Sequence, residues 1–268
     1  MPPSMVGERG ITDDRGWLVV DAKNKFATQR ELPKMALLSA AVQNSDMGRV
    51  LKLEAPGMAP LSVSESTLVE QNHGLKELNV TVWNDTVSAV DQGDEAAAWL
   101  AKFLGKDSLR LVRMKRDGVR PVKSDRADAS PARVAFQDGY PVLILSSASL
   151  DELNRRLEQN ANTEEQVLDL PMQMNRFRPN IVIAGAEPFA EDEWKQIKIG
   201  EVVFELDSGC PRCTITTVNQ STADRGVEPL KTLATFRKTA DNKVMFGQNA
   251  IHLNSGTIRV NDEVKVLK

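Results

Sequence analysis

Residues 202–218 read VVFELDSGCPRCTITTV and contain both cysteines of this 268-residue chain, Cys210 and Cys213. Apolar residues alternate with other residues from Val202 to Leu206, and residues 214–218 form a β-branched run, so strands are predicted on both sides. The Asp, Ser, Gly and Pro residues within 207–211 favour turns. The stretch therefore predicts a hairpin whose tight loop displays both thiols.

Arg212 lies between the two cysteines, which makes this loop a candidate site for a reactive thiolate. A nearby guanidinium favours the charged form of a thiol and so lowers its pKa. Three other interpretations stay open: small buried cysteines, half of a zinc site with His73 and His252 as the only histidines, and a thioredoxin-like CxxC. The last requires a helix after the cysteines, whereas a strand is predicted there.

The composition is that of an ordinary globular protein, with 41% apolar and 26% charged residues. A formal net charge of −3 gives no reason to expect a nucleic acid partner. No apolar run approaches the roughly 18 to 20 residues of a membrane span, and the N-terminus does not have the regions of a signal peptide. With two cysteines and no export signal, we expect a cytoplasmic protein without a membrane partner.

The first half of the chain is predicted to be rich in strands. Alternating and β-branched patterns predict strands at 16–21, 26–30, 49–54, 60–64 and 78–83, of which the first two are expected to form a hairpin. This spacing is typical of a small barrel or sandwich. A helix is predicted to begin with Asp94 as its cap and to end at Gly105, with an apolar stripe formed by Ala97, Ala98, Leu100, Ala101 and Leu104. We place the domain boundary after residue 105.

The second half continues with strands and short helices. Strands are predicted at 140–145, 181–185, 202–206 and 214–218, and then in several short segments from 244 to 267, with helices from Ser149 and from Pro229. Arg178 precedes a proline, which predicts extended backbone and a fixed side-chain direction. A rigidly placed arginine suits an anion-binding site, and a surface salt bridge is the open alternative.

Six short motifs, taken in order, resemble the MOSC-domain family. They are Asp14-Arg15 before a Trp-containing strand, Thr28-Gln29-Arg30, Asp138-Gly139-Tyr140-Pro141, Asn175-Arg176-Phe177-Arg178-Pro179-Asn180, Cys210-Pro211-Arg212-Cys213-Thr214 and Glu228-Pro229-Leu230-Lys231-Thr232-Leu233. The order is similar, more narrowly, to the YcbX and mARC branch. The resemblance implies a mainly β fold with α (α+β), in which an N-terminal small β-barrel domain (1–105) precedes a MOSC β-barrel domain (106–268) with short peripheral helices.

The resemblance also implies a molybdenum cofactor (Mo-molybdopterin), a pterin dithiolene with a terminal phosphate. In that branch the cysteine before the Thr-rich segment ligates the metal, which here is Cys213, a soft ligand suited to such a metal. The implied cofactor contacts are Arg15, Asp138, Gly139, Tyr140, Arg178, Asn180, Cys210, Pro211, Arg212 and Cys213. Cys210 is expected to shape the loop and not to ligate. The family also carries an association with pyridoxal phosphate binding.

The implied function is that of an oxidoreductase that reduces N-hydroxylated compounds, such as amidoximes, hydroxylamines and base analogues, to amines or amidines. Cys213 and Asp138 are the expected catalytic residues, with Asp138 able to shuttle a proton. The electrons are expected from a separate donor, a flavin or iron–sulfur reductase or a b-type haem carrier. The branch usually begins with a strand and a Lys-Ser pair that reaches the cofactor, which we expect this chain to lack, since Lys123-Ser124 lies in a later polar loop.

A carrier is the alternative function from a different class. Such a protein would bind molybdopterin, or a sulfur atom as a persulfide on Cys213, and hand it on without turnover. MOSC domains also occur attached to sulfurase modules, which gives this alternative a basis in the family.

Overall fold

The computed structural model describes residues 3–45, 48–64, 76–122, 124, 132–160 and 170–268. His73 and Lys123, which entered the sequence interpretation, lie outside these residues. The described strands are β1 Ser4–Gly7, β2 Gly10–Ile11, β3 Trp17–Val20, β4 Ser39–Ser45, β5 Gly48–Glu54, β6 Leu61–Ser64, β7 Glu77–Val82, β8 Asp85–Asp91, β9 Arg110–Met114, β10 Val142–Ser146, β11 Ile181–Ile183, β12 Gln196–Ile199, β13 Val202–Pro211, β14 Met245–His252, β15 Gly256–Ile258 and β16 Val264–Val266.

The helices are few and short. The α-helices are α1 Asp94–Leu104, α2 Ser147–Asn160 and α3 Leu230–Ala234, and single 3₁₀ turns form at Pro33–Leu37, Met174–Arg176, Ala190–Asp192 and Thr214–Thr217. None of the described helices combines the length and apolar character needed to cross a membrane. The predicted fold class, mainly β with α, is confirmed.

The chain divides into two compact units. One, here called the cysteine unit, contains the described residues of 1–14, 121–220 and 224–268, and the second unit contains 15–120 and 221–223. The first residues join the cysteine unit because β1 pairs with both β15 and β2. These units therefore group the chain differently from the linear domains 1–105 and 106–268, which stay a prediction.

The cysteine unit is built on a six-stranded sheet in the order β11-β10-β14-β13-β12-β16. Val202, Phe204 and Leu206 of β13 alternate with less buried residues, so one face of the strand packs into a core with residues of β10 and β12. A second core forms where α2 and α3 pack near β10 and β14, and it contains Phe177, whose ring lies 4.5 Å from that of Phe246.

The second unit contains two antiparallel sheets and α1. The sheets have the orders β3-β9-β8-β7 and β4-β5-β6. The buried stripe of α1 consists of Ala96, Leu100, Phe103 and Leu104, which pack in one core with residues of β5 and β6. The predicted stripe was wrong in part, since Leu100 and Leu104 are buried but Ala98 is exposed. Gly105 ends the helix in the left-handed conformation, as its position after the stripe predicts.

Two predictions for the segments around the cysteines were wrong. Residues 207–211 do not form a tight turn, because β13 continues to Pro211 and pairs with β14 through register irregularities between Leu206 and Ser208 and between Gly209 and Pro211. Residues 214–217 form a 3₁₀ turn instead of a strand. The hydroxyls of Thr216 and Thr217 donate to the carbonyls of Cys213 and Thr214, a local alternative to sheet pairing.

Three further local predictions need correction. The segment 26–30 is not a full partner strand, since only Phe26 bridges to β3, which pairs instead with β9. Arg178 is not extended but left-handed, with φ 56°, at the end of a tight turn in which its N–H donates to the carbonyl of Asn175. Helix α2 begins at Ser147, before the predicted Ser149, because the Ser146 hydroxyl accepts from the N–H of Ser149.

Gly10 shows how closely β2 approaches the segment that follows the predicted Asp138–Tyr140 turn. Its φ is 84°, and a Cβ atom placed there would lie 2.7 Å from the carbonyl oxygen of Pro141. The left-handed backbone and this contact each exclude an ordinary side chain. The hairpin of β1 and β2 therefore supports this segment through direct backbone packing.

We expect Gly10→Ala to lower the free energy of unfolding by about 1–3 kcal/mol, because it combines a strained φ with a backbone clash. Gly7→Ala in the same hairpin is the matched control, since a Cβ there meets no atom within 4 Å, and it should change stability by less than about 0.5 kcal/mol. Urea denaturation of both variants measures the difference. Equal stabilities would contradict the close approach of Gly10 to Pro141.

Candidate functional site

The two cysteines lie in different environments at the end of β13. Cys210 is half-buried within the last residues of the strand, and Cys213 is exposed just beyond it. One register irregularity of β13 precedes Cys210 and the other includes it, and irregularities of this kind re-aim side chains next to functional sites. The two cysteines therefore differ in exposure, and Cys213 is the more exposed.

Arg212 fixes the loop between the thiols. One guanidinium nitrogen, Nη1, donates to the Sγ of Cys210 at 3.1 Å, and Nη2 donates to the carbonyl oxygen of Phe177 at 2.6 Å. The guanidinium carbon also lies 5.6 Å from the centre of the Phe177 ring. The main-chain N–H of Arg212 donates to the carbonyl of Val244 at 2.8 Å. One residue thus links the cysteine segment to the turn before Arg178 and to the segment before β14.

The expectation that Arg212 makes a thiolate is wrong for Cys210. Burial raises the pKa of the Cys210 thiol above its ordinary value, and the Arg212 guanidinium, which lowers it, only partly offsets the burial. The nearby Asp138 carboxylate raises the pKa of Cys210 further. Cys210 is therefore held as a neutral thiol that accepts a hydrogen bond, in agreement with its expected role in shaping the loop.

The Asp138–Gly139–Tyr140 turn is anchored to β13. Asp138 is exposed and Gly139 is buried. The phenol of Tyr140 donates to the Oδ2 atom of Asp207 at 2.5 Å and accepts a longer hydrogen bond, 3.3 Å, from the hydroxyl of Ser208. The predicted cofactor-contact turn therefore lies beside the strand that carries Cys210.

Gln137 anchors the same turn on its other side. Its Nε2 atom donates to the carbonyl oxygens of Arg9 and Asp14, each at 3.2 Å, and its Oε1 atom accepts from the N–H of Ala135. Gln137 is almost completely buried, with 3% exposure. Asp14 directly precedes Arg15, so this side chain holds the segment that leads into the predicted Arg15 contact.

Arg178, Asn180 and Arg15 have separate positions. Arg178 is exposed at the end of the turn that contains Phe177. The Oδ1 atom of Asn180 accepts from the main-chain N–H of Leu143 at 2.9 Å, and the main-chain N–H of Asn180 donates to the carbonyl of Leu143 at 2.9 Å. Asn180 therefore joins the start of β11 to β10. Arg15, with φ 50°, lies in the second unit, whereas all the other predicted site residues lie in the cysteine unit.

Sequence reasoning missed Asp207, Gln137 and the carbonyl of Phe177. Asp207 was interpreted only as a turn residue, although it accepts hydrogen bonds from two hydroxyl groups. The signal that could have found it is an acidic residue at a half-buried strand position, where a charge needs partners. A backbone carbonyl carries no sequence signal.

The donor set fits a group that brings most of its own metal ligands. Among the described residues, no cluster of three or more His, Cys, Asp or Glu side chains could hold a bare metal ion. Cys213 offers one exposed thiol. In addition, the Nε atom of Arg212 is buried without a hydrogen-bond partner in the described part of the chain. A buried donor of this kind requires an explanation, and an acceptor atom on a bound group provides one. These features fit a cofactor with its own dithiolene sulfurs.

We expect Arg212→Gln to lower the free energy of unfolding by about 1–3 kcal/mol, because it leaves the carbonyl of the buried Phe177 without its charged donor. It should also slow alkylation of Cys210 near neutral pH, since the group that lowers the pKa of this thiol is lost. The control is Arg259→Gln, which changes an exposed arginine. If both variants match the wild type in urea denaturation, the Arg212 bridge does not stabilise the fold.

Comparisons with known proteins give matches over most of the chain. The family model described as the MOSC domain matches residues 131–265, and the MOSC N-terminal beta barrel domain matches residues 3–107. Mitochondrial amidoxime-reducing component 1 of Xenopus laevis is 34% identical over 95% of this chain and 72% of that protein. Mitochondrial amidoxime reducing component 2 of Bos taurus is 36% identical over 85% of this chain and 63% of that protein.

A third relative has a different name and a much greater length. Molybdenum cofactor sulfurase of Danio rerio is 33% identical over 92% of this chain, which spans 29% of that protein. The similarity to this relative therefore concerns one part of a larger protein.

Proposed function

This chain belongs to the MOSC domain family, and we propose that it is a molybdenum-cofactor-dependent oxidoreductase. Its substrates are N-hydroxylated compounds (amidoximes, hydroxylamines or base analogues), which it reduces to amines or amidines. The observation that carries the proposal is the different environment of the two thiols: Arg212 bonds to the half-buried Cys210, whereas Cys213 is exposed. The names of the amidoxime-reducing relatives support the substrate class.

The residues of the cysteine unit divide the work of holding the cofactor. Cys213 is the metal ligand, since a thiolate is a soft donor. Arg178, exposed at the end of its turn, is suited to the terminal phosphate, because a guanidinium can donate two hydrogen bonds to its oxygens. The buried Nε of Arg212 is a further donor. The side-chain amide nitrogen of Asn180 completes the proposed contacts of this unit, and the contact from Arg15 stays a prediction.

The bound cofactor supplies two-electron redox chemistry at the hydroxyl oxygen of the substrate. The overall reaction consumes two electrons and two protons and releases the amine or amidine and one water. Asp138 is exposed and lies near Cys210, so its carboxyl group can take a proton from solvent and give it to the departing oxygen. Tyr140 and Gln137 hold the turn that carries this group.

The source of the electrons and the compartment belong to the proposal as well. A flavin or iron–sulfur reductase, or a b-type haem carrier, is the proposed donor, and the cytoplasm is the proposed compartment. The association of the family with pyridoxal phosphate stays a prediction.

A carrier function is the second candidate, and the exposure of Cys213 favours it too. A solvent-exposed thiol can receive a sulfur atom from the persulfide of a desulfurase, and one relative is named a molybdenum cofactor sulfurase. Mass spectrometry after incubation with a desulfurase would then find one added sulfur on Cys213, independent of molybdenum. If the protein is the proposed oxidoreductase, it needs no desulfurase during turnover.

We expect the molybdenum-loaded protein to convert benzamidoxime to benzamidine when reduced methyl viologen supplies the electrons. Asp138→Asn should lower kcat by about 100-fold with little change in KM, because it removes a proton donor. The control is Asp151→Asn, an exposed carboxylate at the start of α2, which should match the wild type. A loaded wild type that forms no benzamidine would overturn the proposed enzyme, and an unchanged kcat in Asp138→Asn would remove Asp138 from the mechanism.

A further inference from the structure

Asp207 is the centre of a directional hydrogen-bond chain next to the cysteines. Its Oδ2 atom accepts from the phenol of Tyr140 at 2.5 Å, and its Oδ1 atom accepts from the hydroxyl of Ser124 at 2.6 Å. Both distances are those of hydrogen bonds between a hydroxyl group and an ionised carboxylate. Each carboxylate oxygen thus has a short hydroxyl donor.

The residue type at 207 fixes the direction of these bonds. An ionised carboxylate only accepts, so both hydroxyl groups must donate to it, whereas an asparagine would present an amide donor to one of them. The phenol oxygen of Tyr140 is then open to accept, and the hydroxyl of Ser208 lies 3.3 Å from it. The amide of Asn249 approaches Ser208 at 3.5 Å. The chain therefore runs from Asn249 through Ser208 and Tyr140 to Asp207, and such chains strengthen their own bonds.

This series of hydrogen bonds joins the Asp138–Gly139–Tyr140 turn to β13. The phenol of Tyr140 contacts positions 207 and 208, directly before Gly209 and Cys210. On the other side, Gln137 fixes the turn to Arg9 and Asp14, and the backbone at Gly10 packs against Pro141. Tyr140 thus sets how the turn faces the cysteine strand, while Gln137 sets how it faces the N-terminal segment.

We infer that the Tyr140–Asp207 pair is a positioning clamp, which holds the Asp138–Tyr140 turn at a fixed place against the strand that carries Cys210. Tyr140 is then a positioning residue and not a direct cofactor contact through its hydroxyl, because the hydroxyl already donates its hydrogen bond to Asp207. The inference rests on the proposed function only in what the clamp serves: it keeps the Asp138 carboxylate and the Gly139 backbone at the site of the cofactor.

Tyr140 can be observed selectively, since it is the single tyrosine of the protein. In ultraviolet resonance Raman spectra, the intensity ratio of the tyrosine Fermi doublet reports whether the phenol donates a strong hydrogen bond. The expected wild-type spectrum is that of a strong donor. Asp207→Asn should change the ratio toward that of a phenol bonded to water, and Ser124→Ala, which removes the other donor to the same carboxylate, should leave it unchanged.

The rate of alkylation by iodoacetamide measures the positioning role, with the exposed Cys213 as the internal reference for Cys210. We expect the ratio of the Cys210 rate to the Cys213 rate to rise about fivefold in Tyr140→Phe and in Asp207→Asn, as loss of one hydrogen bond frees the turn. The double variant should rise no further, because both changes break one contact. Ser124→Ala should stay within about twofold of the wild type.

Molybdenum retained after gel filtration of the same proteins separates this inference from the proposed function. Faster loss of molybdenum from Tyr140→Phe and Asp207→Asn than from Ser124→Ala supports the clamp at the cofactor site. Equal retention in all variants would overturn the role of the clamp at the cofactor site, and additive alkylation effects or a wild-type spectrum without a strong donor would each overturn the clamp itself. A wild type that never binds molybdenum overturns the proposed function instead, and the spectra and alkylation rates then still decide whether Tyr140 positions the turn.

Discussion

The guanidinium of Arg212 is the interaction on which the rest of the site depends. It joins Cys210, near the end of β13, to the turn with Phe177. The main-chain N–H of the same residue donates to the carbonyl of Val244 in the segment before β14. Because the guanidinium bonds to Cys210, it gives the two cysteines of one short motif different chemical environments. Cys210 becomes a neutral hydrogen-bond acceptor in the loop, and Cys213 stays exposed. Under the proposed function, this difference selects one thiol ligand from a motif that contains two.

The remainder of the cysteine unit supplies rigid support for this arrangement. The irregular pairing of β13 with β14 carries the strand past the point where its residues favoured a turn. The buried Phe177 and Phe246 rings fix the carbonyl that Arg212 binds. On the opposite side, Gln137 and the hairpin of β1 and β2 support the turn with Asp138. The reactive groups thus lie on short segments held by backbone contacts, which is the usual way to position chemistry on loops.

Most of the strands could be predicted from the sequence, because their apolar residues alternate as half-buried strands require. The same rule failed at residues 214–217, where β-branched threonines suggested a strand but their hydroxyls bond to nearby carbonyls. It also failed at Arg178, where the preceding tight turn overrides the preference imposed by the following proline. The MOSC family and its cysteine motif were predicted from six motifs. The partners of Arg212, Asp207 and Gln137 were not, since they are backbone groups or residues far apart in the chain.

The central claim is that Cys213, and not Cys210, is the metal ligand. The most direct test is the molybdenum content of the wild type, Cys213→Ser and Cys210→Ser, each purified from a host that makes the cofactor. The account predicts nearly one molybdenum per wild-type chain, almost complete loss in Cys213→Ser, and retention of most of the metal in Cys210→Ser. Loss confined to Cys210→Ser, or equal molybdenum in both variants, would contradict it.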